Sequence, residues 1–442
     1  MFICSTIQSM TRGQTSSTRK IIAVGFCLAI MPWSFDFKSK VSGQGILLQG
    51  SIALVSLIGF FLVLSSRAKI SGKRAFSILF LACLLFGIDG LLVGLFRGQS
   101  TYELFVHVAP LILFCVSARA TQVLLSSYRS TATFLLILKL CCILCMVVTV
   151  LLVFQNGDTD ISTVRYEILG ASVVAASAFL VVSLSTRFAF LDFVNALTVI
   201  TVILISVTRT NLIVFVLQIC SIATGIRGLL MARSVSIVIF AYFVAAGFIA
   251  MQIVNVDIAN RWQDRLFQSE QHGGDDPTYL IRVGESKFMW EQILKDEASI
   301  FFGNGFASRT AISRIEFELV SKIVGRKSAE LESVGYGHNN HLSQLFIGGF
   351  VGGLPLLLLL GFDCFRSIGF IRASRLTLKD LNAKTESGQV FLIACWAMCT
   401  IIGNFGYGMF AGTFDSRGVS IWYGIATGAM YWCMETKRIV RQ

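Results

Sequence analysis

Three residues have the type and setting to do chemistry. His338 lies in Gly337-His338-Asn339-Asn340-His341-Leu342, where a long polar stretch gives way to an apolar run. A neutral imidazole is suited to taking a proton from a hydroxyl, because its unperturbed pKa lies near neutral pH. The chain has 4 histidines, and two of them stand here. A polar cluster at a membrane mouth would account for them equally well. Arg209 sits in Thr208-Arg209-Thr210-Asn211, between two almost unbroken apolar stretches. A guanidinium is costly in lipid, so it must face water, protein or an anion, or else snorkel to headgroups. Arg282, in Tyr279-Leu280-Ile281-Arg282, opens an amphipathic stretch and on its own reads as a surface arginine.

Other candidates carry weaker signals. Arg261 and Arg265 share a helical face at i, i+4 and could meet phosphate or lipid headgroups. Asp275-Asp276 could bind a cation or be solvated, and Asp89, His107 and Lys139 fall within or near apolar runs without forming an ion-binding set. Cys141-Cys142-x-x-Cys145 could offer soft ligands, yet cysteines in apolar helices serve as small apolar side chains. No phosphate-binding G-x-x-x-x-G-K-[ST] loop and no H-E-x-x-H is present. No metal is expected.

These residues must be held by a membrane protein. The 442 residues are 55% hydrophobic and only 14% charged, with a mean hydropathy of +0.74; a soluble domain of this length needs far more charge. The net charge of +12 is spread in short clusters between apolar runs, which argues against a nucleic-acid partner. Windows of spanning length fall at Ile21–Phe35, Gly45–Ser66, Phe76–Phe96, Leu104–Leu124, Thr133–Phe154 and Ile168–Leu184. Further windows are Leu191–Val207, Leu212–Ile226, Val235–Val254, Leu342–Phe362, Gly388–Met409 and Val419–Met434. The first reads as a retained anchor.

The expected fold is all-α and polytopic, with about twelve transmembrane helices. Some twenty lysines and arginines gather on one side and a handful on the other, so both termini are expected in the cytoplasm. The organisation expected is an N-terminal membrane bundle (1–254), a large extracytoplasmic loop (255–341) and a C-terminal membrane bundle (342–442). Within the loop, Leu280, Gly284, Phe288 and Ile293 predict one face of a helix over Tyr279–Glu297. Gly303-Asn304-Gly305 marks a turn, and Ile312, Ile315, Leu319 and Ile323 predict a second helix. None of the 12 cysteines falls in this loop, which excludes a disulfide framework there.

An arginine at a tight hairpin, then a loop with an arginine-bearing helix and a Gly-Asn-Gly turn, then His-Asn at the return to the membrane, form an ordered pattern. It resembles the O-antigen ligase and O-antigen polymerase superfamily of bacterial envelope glycan assembly. That family's signature of His-Asn, nine residues and Gly-x-x-Gly reads here as His338-Asn339, Asn340 to Gly348, and Gly349-Phe350-Val351-Gly352. The segment Arg282 to Phe306, with Trp290 and Gly303-Asn304-Gly305-Phe306, is similar as well, and the resemblance covers about Ser206 to Leu360. Two departures are Ile213, where the family often has leucine, and the extra His341.

The resemblance implies a GT-C-type glycosyltransferase of the bacterial inner membrane, with the large loop periplasmic. Its donor is a glycan on undecaprenyl diphosphate and its acceptor a glycan or glycolipid, with room for a regulator of chain length. On this footing Arg209 and Arg282 bind the donor diphosphate in place of a cation, with Arg261 and Arg265 as weaker contacts. His338 orients or deprotonates the acceptor hydroxyl, and Asn339, Asn340 and His341 support it or contact sugar. A polymerase is the leading variant and a ligase to lipid A–core the second. A transporter or flippase of the lipid-linked glycan is the alternative of a different class, although no repeat of two halves is visible.

Overall fold

The computed structural model describes residues 16–35, 46–65, 73–127, 131–155, 170–184, 190–206, 208–226, 277–324, 338–374, 385–410 and 417–441. Among these residues the protein is helical and no strand forms. The helices are α1 (Ser16–Ile30), α2 (Ile46–Leu64), α3 (Lys73–Phe96), α4 (Thr101–Ser127), α5 (Thr131–Gln155), α6 (Gly170–Leu184), α7 (Phe190–Ser206) and α8 (Arg209–Gly225). Then come α9 (Pro277–Ile293), α10 (Glu297–Phe302), α11 (Arg314–Val324), α12 (Asn340–Gly348), α13 (Leu354–Ala373), α14 (Glu386–Gly408) and α15 (Arg417–Arg441). Each apolar window read from the sequence overlaps one of these helices except Val235–Val254, which lies outside the described residues, and Leu342–Phe362, which is divided between α12 and α13. Among the described residues, five stretches are long and apolar enough to cross a membrane: Arg74–Phe96, Thr101–Ser126, Thr131–Val148, Asn340–Ala373 and Ser387–Gly408.

Apolar helices gain little from hydrophobic burial against one another when the alternative is lipid, so close packing and polar contacts must hold them. Helix α15 lies along α4 with so little clearance that a Cβ at Gly428 would fall 2.1 Å from the Ala118 carbonyl oxygen. Helix α14 is buried on every side over 391–401, and Trp396 Nε1 donates to the Ala175 carbonyl at 3.1 Å. Inside the bundle, Lys139 of α5 pairs with Asp192 of α7, which also accepts from Ser183 Oγ at 2.8 Å. The intramembrane lysine is thus half of an ion pair, the usual way such a charge is tolerated.

The region between α8 and α13 positions the site. Helix α9 packs on α12 through Met289, Ile293, Leu342 and Phe346. Helix α11 backs α9 at Gly284, where a side chain would strike Ile312 at 2.4 Å, and Ser313 N–H donates to the Gly284 carbonyl at 3.1 Å. The face predicted for α9 is displaced by about one residue: Ile281, Glu285, Met289 and Ile293 are the buried stripe, with Gly284 beside it. The face predicted for α11 is corrected further. Ile312, Glu316 and Val320 point inward, whereas Ile315 is 71% exposed and Leu319 36%. An ion pair of Glu316 with Lys287 of α9 draws the helix round to that orientation.

Candidate functional site

Helix α9 carries a carboxylate in an otherwise apolar stripe. Glu285 follows Ile281 by four residues and precedes Met289 by four, so the helical repeat places all three on one face. Burying that face against α12 takes Glu285 to 2% exposure, and such a carboxylate needs donors. His338 supplies two. Its backbone N–H donates to Glu285 Oε2 at 3.1 Å, and its Nδ1 lies 2.9 Å from the same oxygen and 3.1 Å from Oε1. A carboxylate accepts, so Nδ1 carries a proton, and in the neutral imidazole this tautomer leaves the lone pair on Nε2. The His338 side chain is 54% exposed, and among the described residues Nε2 makes no hydrogen bond. Sequence reading missed Glu285; the signal was an acid at a core position of an amphipathic helix.

His338 is fixed by the start of α12. Asn339 is the N-cap, its Oδ1 accepting from Leu342 N–H at 3.1 Å, the standard way to satisfy a first-turn amide. The nine residues 340–348 are the length of α12 itself. The helix ends in a wide turn over Gly349–Gly353, with Gly349 at φ +52°. A Cβ there would lie 2.5 Å from the Phe301 carbonyl carbon, so glycine is required by both conformation and space. The spacing between His-Asn and Gly-x-x-Gly is therefore a short capped helix ended by a glycine turn.

The Gly-Asn-Gly-Phe turn is a wedge between α3 and α12. Asn304 N–H donates to the Phe346 carbonyl at 2.7 Å, Gly305 N–H to Ile347 at 2.9 Å and Phe306 N–H to Gly90 at 2.8 Å. Gly305, at φ +81°, sits so close to Gly94 that a Cβ would be 2.3 Å from its nitrogen. Arg97 clamps the wedge from above, donating to Asn304 Oδ1 at 2.5 Å, Ser299 Oγ at 3.2 Å and the Gly303 carbonyl at 3.3 Å. Asp296 caps α10 by accepting from Ser299 N–H at 2.7 Å, and that bond holds its carboxyl below the ordinary aspartate range.

The remaining predicted residues divide. Arg282 lies in the second turn of α9, one turn from Glu285, and is half-buried. Arg209 is the first residue of α8, half-buried, with Thr210 and Asn211 buried behind it. Contacts of Gly225 with Met398, Ser221 with Cys399, and Val214 with Gly403 show α8 running antiparallel to α14. Arg209 thus belongs to the end of α14 that His341 touches. His341 donates from Nε2 to the Phe405 carbonyl at 2.8 Å, with its ring 4.2 Å from that of Phe405. The structure therefore gives the two histidines different partners, a buried acid for His338 and a backbone carbonyl for His341. Asn340 is buried. Arg261, Arg265 and Asp275-Asp276 lie outside the described residues.

The arrangement can do base chemistry: an oriented imidazole with one nitrogen unengaged among the described residues, an arginine one turn away on the same helix, and another at the same end of the bundle. These features define an all-α protein with membrane-spanning helices and a polar joint at one end. No protein-family model matches the chain, and no curated protein matches it either.

Proposed function

We propose that the chain is a membrane glycosyltransferase that moves an oligo- or polysaccharide from undecaprenyl diphosphate to an acceptor sugar hydroxyl. The observation that carries this reading is the His338–Glu285 pair, whose geometry engages Nδ1 and, among the described residues, leaves Nε2 unengaged. In the proposed step, the acceptor hydroxyl gives its proton to Nε2 and its oxygen attacks the anomeric carbon. The bond from that carbon to the diphosphate breaks, and the leaving group takes the electron pair. Arg282 and Arg209 would meet the growing negative charge, a role for which a planar, always-charged guanidinium is suited. Glu285 stabilises the imidazolium that forms and keeps the proton on Nδ1 in the resting state.

The reading places the joint on the periplasmic face of a bacterial inner membrane, with both termini cytoplasmic. A polymerase, with a second lipid-linked unit as acceptor, is the leading variant; a ligase to lipid A–core is the other. The test is reconstitution of the full chain in nanodiscs with a defined undecaprenyl-diphosphate oligosaccharide and each acceptor in turn. Longer lipid-linked chains identify the polymerase, and glycan on lipid A–core the ligase. If the chain instead carries the lipid-linked glycan across a vesicle membrane and joins nothing, the transporter reading replaces this one.

A further inference from the structure

Helix α12 carries buried polar side chains apart from the His338–Glu285 pair. Asn340, Ser343 and Gln344 line a small pocket with Ile347, closed by His107 and Leu111 of α4, Phe86 of α3 and the wedge residue Phe306. Gln344 is 2% exposed, and among the described residues neither its Oε1 nor its Nε2 has a hydrogen-bond partner. A primary amide buried with donor and acceptor both unmet is strongly disfavoured, and such a group in a native fold calls for an occupant. Ser343 Oγ, beside it, donates to the Asn339 carbonyl at 2.9 Å. Among the described residues the pocket lining holds no Asp, Glu, Lys or Arg, which favours a neutral occupant over an ion. A cavity of about 20 Å³ has room for one or two oxygen-sized groups.

We propose that this pocket is a binding site for neutral hydroxyl groups, which accept from Gln344 Nε2 and donate to Gln344 Oε1. Two sources share that chemistry. One is water. The other is a hydroxymethyl arm of the acceptor glycan, reaching in from the rim where Asn340 stands two residues from His338; this source rests on the glycosyltransferase reading, and the site itself does not.

The test uses the full chain in nanodiscs with Gln344→Leu and Gln344→Asn. An occupied pocket makes leucine destabilising, because the hydroxyl loses its partner; Tm falls by about 2–4 °C, and Gln344→Asn, which keeps the amide, recovers part of the loss. An unchanged or raised Tm for Gln344→Leu overturns the proposal, since an apolar replacement then merely removes an unmet amide. Should the leucine variant fail to fold, Gln344→Asn decides: a Tm at or above that of the unaltered protein overturns the site. Kinetics separate the sources. A rise of about tenfold in acceptor KM at constant kcat and donor KM, the cost of about one hydrogen bond, assigns the acceptor's hydroxyl. Unchanged kinetics with a lowered Tm assign water. If the unaltered protein transfers no glycan, the proposed function fails while the Tm result still judges the pocket.

Discussion

Two acid–base pairs in this molecule differ in what they leave over. Within the bundle, Asp192 accepts from Lys139 and Ser183, and the lysine also lies over the Phe179 ring at 5.7 Å. At the rim, Glu285 accepts from the backbone and side chain of His338, whose side chain is 54% exposed and keeps one nitrogen unengaged among the described residues. The first pair closes on itself, and its product is a tolerated charge in an apolar layer. The second has an acid that is 3% exposed and a base that is 54% exposed, so burial on one side serves orientation on the other. Pairing alone does not mark a functional site; an unengaged atom on an exposed side chain does.

The comparison is tested most severely at His338. His338→Ala should lower glycan transfer per folded molecule by about 10³-fold in the reconstituted assay, within the range for loss of a general base, and should also lower Tm, because the buried Glu285 carboxylate loses its side-chain donor. A variant that retains normal rates would reduce the rim pair to a structural contact like that of Lys139. Glu285→Gln is the sharper probe. The amide keeps the volume but can donate to the ring, favouring the wrong tautomer. Transfer should fall by about 10²-fold with little change in donor or acceptor KM, as for a positioning residue. A loss confined to KM would instead place Glu285 in substrate binding.

Much of this architecture was legible in the sequence because lipid imposes long apolar windows. Cys141, Cys142 and Cys145 are buried without a disulfide, in keeping with small apolar side chains. Gly303-Asn304-Gly305 was legible as a turn, but not as a wedge against Gly90 and Gly94, because a contact across some 210 positions leaves no local pattern. Glu285 escaped because the helical face was placed on Leu280, Gly284 and Phe288, one residue away from the buried stripe. The orientation of α11 escaped for a related reason. Ile315 and Leu319 look like a core face, yet the ion pair of Glu316 with Lys287 and its bond from Ser313 turn the opposite side inward. Periodicity registers apolar side chains, and here the decisive groups are polar.

A change in the inner pair should act on stability and leave chemistry alone. Lys139→Met removes the cation and strands Asp192, whose side chain is 7% exposed. Breaking a buried pair from one side costs about 3–5 kcal/mol; the 20% exposure of Lys139 brings the expected loss to the lower end, about 3 kcal/mol. The double variant Lys139→Met/Asp192→Leu should recover most of it, since two apolar groups leave no stranded charge. Denaturation of the reconstituted protein measures both. Transfer rates per folded molecule that fall with Lys139→Met would contradict a purely structural inner pair.

The smallest effect concerns pH and the brace behind the rim pair. Bonds from Lys287 and Ser313 hold the Glu316 carboxyl below its ordinary value of 4.5. The sign follows from linkage: a group with a depressed folded pKa contributes its full stability above the unfolded value and loses it as pH falls through the folded one. Amide exchange in α11 and α9 should therefore be flat from neutral pH down to about 5 and rise below 4.5, once corrected for the intrinsic rate. Glu316→Gln should show the faster exchange already at neutral pH and lose the acid-dependent rise. Because α11 touches Gly284, beside Glu285, transfer should fall only by about twofold in that variant, the scale of a neighbouring brace weakened by less than 1 kcal/mol. An unchanged exchange profile would mean that the Ile281, Ile312 and Val320 contacts alone hold α11 in place.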